Sequence, residues 1–552
     1  MTVTPAERAA AGPPQQPERF VPSGRAARLG PEARASMYLF LGVFLFYATL
    51  GYFVVVRWHI IVGDGVSRLA HAYFVFYNQP PKLAAIGFVW PPLMTVVLLP
   101  FAAIKPLATS LVALPVMSAA FGAGLIVVLE RTLALLGMPR AKRLPLVALI
   151  GINPMILYYS GNGMGESLSL FLIAFSVYAF LRWYLERTVG TLVFASVALT
   201  LALLARYESL LSALVLGIAV GAVLIRRRAS RDELEGGVTT FFAPIAYGLG
   251  LWVFFNWLIM GNPFYWLHSE VTQTFVATRT QVATSSNVAL ATSVSRTVAL
   301  TWYLFPVTWI VAGALFAAFV RRRDLISLVL GVLVLLNPLT TAFLAAATQS
   351  DQPFQLRYNL RAVPVVFVGL AWLWRLAEGR RAKTAVWVVS AGLLAASIPV
   401  TWHTMQTWRF QAQEQAFTRA LASGKDQEGT HSLGIGITVG DRPEFEAAHW
   451  IKRHVHARDS VLTDDEQTFE VMLLTGRPGL FLDRIDHGDA YWHAALANPQ
   501  GRVRYFLVTR WRPDLIQEQY PTVLTGGVPW LRPVYRNSRW EIFRVTPPPQ
   551  PH

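Results

Sequence analysis

The 552 residues contain no cysteine, which excludes disulfides, thiol catalysis and Cys-ligated metal sites. Charge is also scarce: 14% of residues are Asp, Glu, Lys or Arg, against about 25% in an ordinary soluble domain. No apolar stretch typical of a cleavable leader occurs near the start. Residues 1–36 are polar and contain Pro and Arg, so they read as a disordered cytoplasmic tail. No internal repeat is visible, so the usual sequence signature of a secondary transporter is missing. The chain is instead rich in apolar residues, 54% of the total. They fall in blocks long enough to cross a bilayer, which takes roughly 20 residues per helix.

The formal net charge of +16 would suit a nucleic-acid partner, but its distribution argues against one. Most of it sits in short runs between apolar blocks: Arg140–Arg143, Arg226–Arg228, Arg321–Arg323 and Arg380–Lys383. Runs so placed orient helices with their basic ends in the cytoplasm. On that basis spans are expected at 37–56, 107–129, 144–159, 167–185, 191–205, 209–225, 239–260, 297–319, 325–347, 362–376 and 384–402. That makes about eleven, with the N-terminus inside and the C-terminus outside. Within the outer loop 57–106, segment 65–77 has the helical spacing of an interfacial helix. The stretch 90–104 is apolar but short and interrupted by Pro91, Pro92 and Pro100, so it is expected to be re-entrant or half-buried.

After residue 402 the composition changes. Residues 441–457 read as a helix capped by Asp441, with Glu444 completing a capping box. Short apolar runs at Ser460–Thr463, Leu480–Leu482, Val503–Thr509 and Trp540–Val545 alternate with helical stretches, and Asp464-Asp465 reads as a strand-end turn. Residues 403–546 are therefore expected to form a small extracytoplasmic α/β domain, followed by a Pro-rich disordered tail, 547–552.

With this topology, polar residues at the outer helix ends share one surface, and charges at a membrane boundary are candidates for function. Asp64, between Gly63 and Gly65, can act as a general base with a pKa raised by an apolar wall, or simply cap the following helix. Glu166, in the turn Gly161-Asn162-Gly163-Met164-Gly165-Glu166, can be a second acid, a metal ligand or a first-turn helix acid. Arg206, Tyr207 and Glu208 lie between two apolar spans. Arg206 can bind a phosphate, or Arg206 and Glu208 can satisfy each other. Arg357 and Arg361, flanking Tyr358, are outward guanidiniums that run against the charge bias. They can hold an anion or contact lipid headgroups. His268 and Glu270 make a weak metal pair beside an ordinary surface reading.

Together these features resemble the GT-C superfamily of polyprenyl-phosphate-sugar-dependent glycosyltransferases. Its members include protein O-mannosyltransferases, aminoarabinose transferases and actinobacterial cell-wall glycosyltransferases. The resemblance is carried by the first-loop acid Asp64, the interfacial helix, Trp90-Pro91-Pro92-Leu93, Asn153-Pro154 leading into the turn that ends at Glu166, Leu204–Glu208, and Arg357-Tyr358 before Pro364. It implies an inverting transfer at the outer face of a plasma (inner) membrane, from a polyprenyl-phosphate sugar to a glycan, lipid or protein acceptor. Asp64 would be the general base, and Arg206 with Arg357 or Arg361 would bind the phosphate. Glu166, Asn162, Tyr207, Glu208, Tyr358 and His268 would be supporting or substrate residues. Relatives often carry paired acids in the first loop. Here Gly65 follows Asp64, which leaves open whether a divalent cation (Mg or Mn) joins Asp64, Glu166 or His268. The rival readings are a polytopic transporter or lipid flippase, and a non-catalytic cell-envelope assembly protein.

Overall fold

The computed structural model describes residues 30–61, 63–268, 290–348, 351–411, 413–431, 438–511 and 514–547, except for the side chains of residues 268, 352, 486 and 487. Glu270 and the His268 side chain therefore lie outside the described residues.

The chain is a polytopic α-helical membrane protein with a small C-terminal sheet. Eight described helical segments are long and apolar enough to cross a membrane: Pro31–Arg57, Ala113–Leu135, Glu166–Glu186, Ser209–Arg226, Arg231–Met260, Leu325–Thr348, Leu356–Leu376 and Gly379–Thr407. Each overlaps an expected span. The other three expected spans differ, for local reasons. Segment 144–159 is broken into Arg140–Gly151 and Pro154–Tyr159, because Pro154 cannot continue the preceding helix. Asn153 caps the new start by accepting from the Met155 amide at 3.1 Å. Segment 297–319 is a pair, Leu290–Leu304 and Val307–Arg322, bent by 103° at Phe305-Pro306; counting the pair as one span gives nine. Val189–Ala205 has 17 residues, about 25 Å at 1.5 Å per residue, short of a hydrocarbon core about 30 Å thick. The proline-flanked stretch near 90–104 holds only Leu93–Ala102, a ten-residue helix, while the stretch expected at the interface lies in the helix Gly63–Tyr77, whose Val66, Leu69, Tyr73 and Phe74 are buried within the protein.

The bundle has two distinct ends. At one, Arg131 pairs with Glu32 at 2.6 Å, Arg143 with Glu130 at 3.2 Å and Arg322 with Glu378 at 2.9 Å. There too Arg227 donates to the Tyr184 carbonyl, and Lys142 meets Thr384 at 3.2 Å. The basic runs thus gather at a single end, and the candidate site lies at the other.

The C-terminal sheet has the order β2-β1-β3-β5-β4. Its strands are β1 Val461–Thr463, β2 Phe481–Leu482, β3 Tyr505–Thr509, β4 Leu531–Arg536 and β5 Trp540–Val545. β1 is parallel to β2 and β3, and β5 is antiparallel to β3 and β4. Side chains alternate across it with period two. Leu462, Phe506, Val508 and Phe543 fill a local core, whereas Val461, Leu507 and Ile542 join the core that continues into the helical bundle. The domain is thereby docked on the bundle. The segment just before the helix Gly63–Tyr77 is strapped to it: the Gln427 amide donates to the Trp58 carbonyl at 3.0 Å, Gly440 to Ile61 at 3.4 Å, and His59 contacts Asp426 at 2.9 Å. The helix Arg442–His454 forms where expected, but the side chain of Asp441 does not cap it. Glu428 takes that role, accepting from the Asp441 and Arg442 amides, and Glu444 is engaged instead by Arg539 and Trp540. Asp464 accepts from the Glu466 amide and caps the helix Asp465–Thr475.

Candidate active site

Four segments distant in sequence deliver charged side chains to one place. The helix Gly63–Tyr77 carries Asp64 in its first turn. The glycine-rich turn delivers Glu166 as the first residue of a long helix. Gly163 in that turn adopts φ +79°, a left-handed conformation suited to glycine. Gly161 packs against Gly51 so closely that an added Cβ would lie 2.9 Å from its Cα. The break between Val189–Ala205 and Ser209–Arg226 presents Arg206 and Glu208, and the short turn Leu356–Asn359 presents Arg357.

These groups form one continuous network. Arg357 donates from Nη1 to Asp64 Oδ2 at 2.5 Å, from Nε to Gln355 at 3.1 Å and from Nη2 to the Tyr358 hydroxyl at 2.8 Å. The Tyr358 ring lies under two guanidiniums, Arg357 at 4.7 Å and Arg206 at 5.3 Å. Arg206 bridges Glu166 at 3.2 Å and Glu208 at 3.5 Å, and Glu208 also holds Arg361 at 3.5 Å. Glu166 is buried, beyond what a first-turn helix acid needs, while the Asp64 side chain is 63% exposed and so can meet a reactant.

The electrostatics of Asp64 reverse the expectation. The Arg357 guanidinium outweighs the desolvation imposed by the surrounding protein and holds its carboxyl below the ordinary aspartate value, with smaller help from Arg68 and Arg206. Asp64 is therefore ionised and proton-accepting at neutral pH, but its basicity is damped while Arg357 stays paired to it. Glu166 contacts Arg206, and no Glu166–Asp64 contact is seen. Among the described residues no three His, Asp or Glu side chains are arranged to hold a metal ion.

Other predicted residues fall just outside the network. Asn162 accepts from the Met164 amide at 3.0 Å and shapes the turn. Tyr207 turns away, its hydroxyl accepting from Trp252 Nε1 at 3.1 Å in an aromatic cluster with Phe88 and Trp266. Sequence reasoning missed Asn359, which is buried and accepts from Thr341 at 2.8 Å and Asn337 at 3.2 Å. It also donates to the Pro353 and Gln355 carbonyls, fixing the segment that carries Arg357. Its position two residues after Arg357 was the only available signal.

A crevice descends from Glu208 and Arg361 between the helices, lined by Ile173, Val177, Leu216, Leu333, Leu336 and Val365, with Ser209, Ser212, Asn337 and Thr340 interspersed. At about 1.5 Å per residue, the eight positions from Glu208 to Leu216 take it roughly 12 Å below the charged network.

No family model matches the sequence, and no curated protein matches it. Among solved structures, ArnT from Cupriavidus metallidurans in the apo state aligns with a TM-score of 0.54 and 14% identity over 93% of this chain and 98% of its own. The same protein bound to undecaprenyl phosphate aligns with a TM-score of 0.54, 13% identity and the same coverage. The archaeal oligosaccharyltransferase AglB from Archaeoglobus fulgidus, in complex with an inhibitory peptide and a dolichol-phosphate, gives a TM-score of 0.47 at 11% identity, over 86% of this chain and 69% of its own. The likeness to ArnT establishes a shared fold across nearly the whole chain.

Proposed function

We propose that this chain, which carries the GT-C membrane fold, is an inverting glycosyltransferase that moves a sugar from a polyprenyl-phosphate donor to an acceptor hydroxyl. The observation that carries this reading is the network in which Asp64 pairs with Arg357, which shares the Tyr358 ring with Arg206, while Arg206 and Arg361 share Glu208, at the bundle end opposite the basic runs. The bias of basic runs toward the cytoplasm supports a reading in which that end faces outward, with a cytoplasmic N-terminus and an extracytoplasmic C-terminal region. The ArnT structure with bound undecaprenyl phosphate shows that this fold accommodates such a lipid in that protein.

In the reaction, the acceptor oxygen attacks the anomeric carbon and its proton passes to Asp64. The bond from that carbon to the phosphate oxygen breaks, and polyprenyl phosphate leaves with the electron pair. Guanidiniums stabilise the charge that grows on the leaving oxygen. A donor phosphate that draws Arg357 away from Asp64 would restore the basicity of the carboxylate, so base activation would follow donor binding. The charges cluster at one helix end rather than at mid-membrane, which disfavours the transporter reading. The test is to incubate purified protein with labelled polyprenyl-phosphate sugars and a cell-envelope extract that supplies glycan, lipid and protein hydroxyl acceptors. Release of polyprenyl phosphate from at least one donor is expected, and inertness toward all would end the proposal.

A further inference from the structure

The network sets four guanidiniums, Arg68, Arg206, Arg357 and Arg361, against three carboxylates, Asp64, Glu166 and Glu208. Three of the arginines already have carboxylate partners: Arg357 on Asp64, Arg206 on Glu166 and Glu208, and Arg361 on Glu208. Arg68 is the remaining cation. It follows Asp64 by four positions in the helix Gly63–Tyr77, hence on the same face and about 6 Å along the axis. Among the described residues it makes no hydrogen bond or ion pair. Its guanidinium lies 5.6 Å from the centre of the Trp90 ring, which is 38% exposed. The Asp64 carboxylate attracts it from a distance, but a half-buried guanidinium with no anion in contact is costly unless a ligand completes it. Burial lowers its pKa to about 10, so it remains charged at neutral pH. The neighbouring His71 does not compete for an anion: Nδ1 is 2.9 Å from the Ala85 carbonyl, and burial lowers the imidazole to about 4, leaving it neutral.

We propose that Arg68, backed by Trp90, is the first recognition group for the phosphate of the lipid-linked donor. The arginines already engaged by carboxylates join only after it has bound. This rests on the glycosyltransferase reading and adds a residue and an order of events to it. An aromatic ring behind the guanidinium fixes its plane without using its donors, which leaves the N–H groups for a phosphate.

The test uses full-length protein in phosphatidylcholine nanodiscs and three probes: undecaprenyl phosphate, undecaprenol and inorganic phosphate. Arg68→Gln is expected to weaken undecaprenyl phosphate binding at least tenfold and leave undecaprenol binding unchanged, with Arg68→Lys in between. Inorganic phosphate binding that also depends on Arg68 but is far weaker would support the anion site and assign the remaining affinity to the lipid. An equal loss for both lipids would make Arg68 a packing residue and overturn the proposal. Wild-type affinity in Arg68→Gln would overturn it too, while leaving the glycosyltransferase reading intact. Failure of the wild type to bind undecaprenyl phosphate would overturn both. If Arg68→Gln does not fold, phenylglyoxal modification of the wild type reads the same contact by mass spectrometry. Undecaprenyl phosphate should protect Arg68 and undecaprenol should not; equal protection by both, or by neither, would refute the assignment.

Discussion

Asp441 offers a test with a calculable size. It is 2% exposed, and neither carboxylate oxygen has a hydrogen-bond partner. It lies where the C-terminal domain straps the segment before Asp64, beside Gly440, whose amide reaches the Ile61 carbonyl. Burial raises its pKa from 3.8 to about 7; His59 opposes this, and Glu444 and Glu428 add to it. The folded state therefore holds a proton that the unfolded chain gives up near pH 4. Stability is then greatest below pH 4 and is lost progressively as pH rises from about 4 to about 7. At about 1.4 kcal/mol per pH unit over that window, the penalty at pH 8 is about 4 kcal/mol. Asp441→Asn removes the charge and keeps the shape. Its melting temperature in detergent should match the wild type near pH 4 and exceed it increasingly toward pH 8. At roughly 2–4 °C per kcal/mol for a unit of this size, the gain is on the order of 10 °C. A difference that does not change with pH, or a variant that falls behind as pH rises, would rule out a proton held on buried Asp441.

Three further outcomes follow from the site. Arg357→Ala should raise the acid limb of the pH–rate profile toward the ordinary aspartate range, because the main influence lowering the Asp64 pKa is gone, and it should weaken donor binding more than acceptor binding; an unmoved limb contradicts the pairing. Gly163→Ala should cost more than about 2 kcal/mol in thermal unfolding, since the residue has φ +79° and a Cβ there would collide with Leu114. Asn359→Ala should cost about 2–3 kcal/mol, from unpaired buried partners, and reduce donor affinity by loosening Arg357; a stable variant with normal affinity would remove its positioning role.

Much of the site could be read in the sequence because membrane burial makes each charge conspicuous. Asp64, Glu166, Arg206, Glu208 and Arg357 stood out against apolar blocks, and the basic runs separated the two ends of the bundle. What sequence could not supply was pairing. Nothing local indicates that Arg357 would reach back 293 positions to Asp64 and lower, rather than raise, its pKa. Arg68 went unnoticed although its spacing from Asp64 was available, because an Arg in an interfacial helix ordinarily faces headgroups. The helix breaks at Pro154 and Pro306 were written in the sequence, but mean apolarity across 144–159 and 297–319 outweighed them. Strand β4 was missed because most of its side chains are exposed and Pro533 interrupts it.

The most direct measurement compares wild type and Asp64→Asn for release of polyprenyl phosphate from a labelled polyprenyl-phosphate sugar in the presence of an envelope extract that supplies acceptors, alongside binding of the same donor. Turnover is expected from the wild type only, with the variant folded and still binding donor. Equal turnover by the two proteins would contradict the role of Asp64 as base.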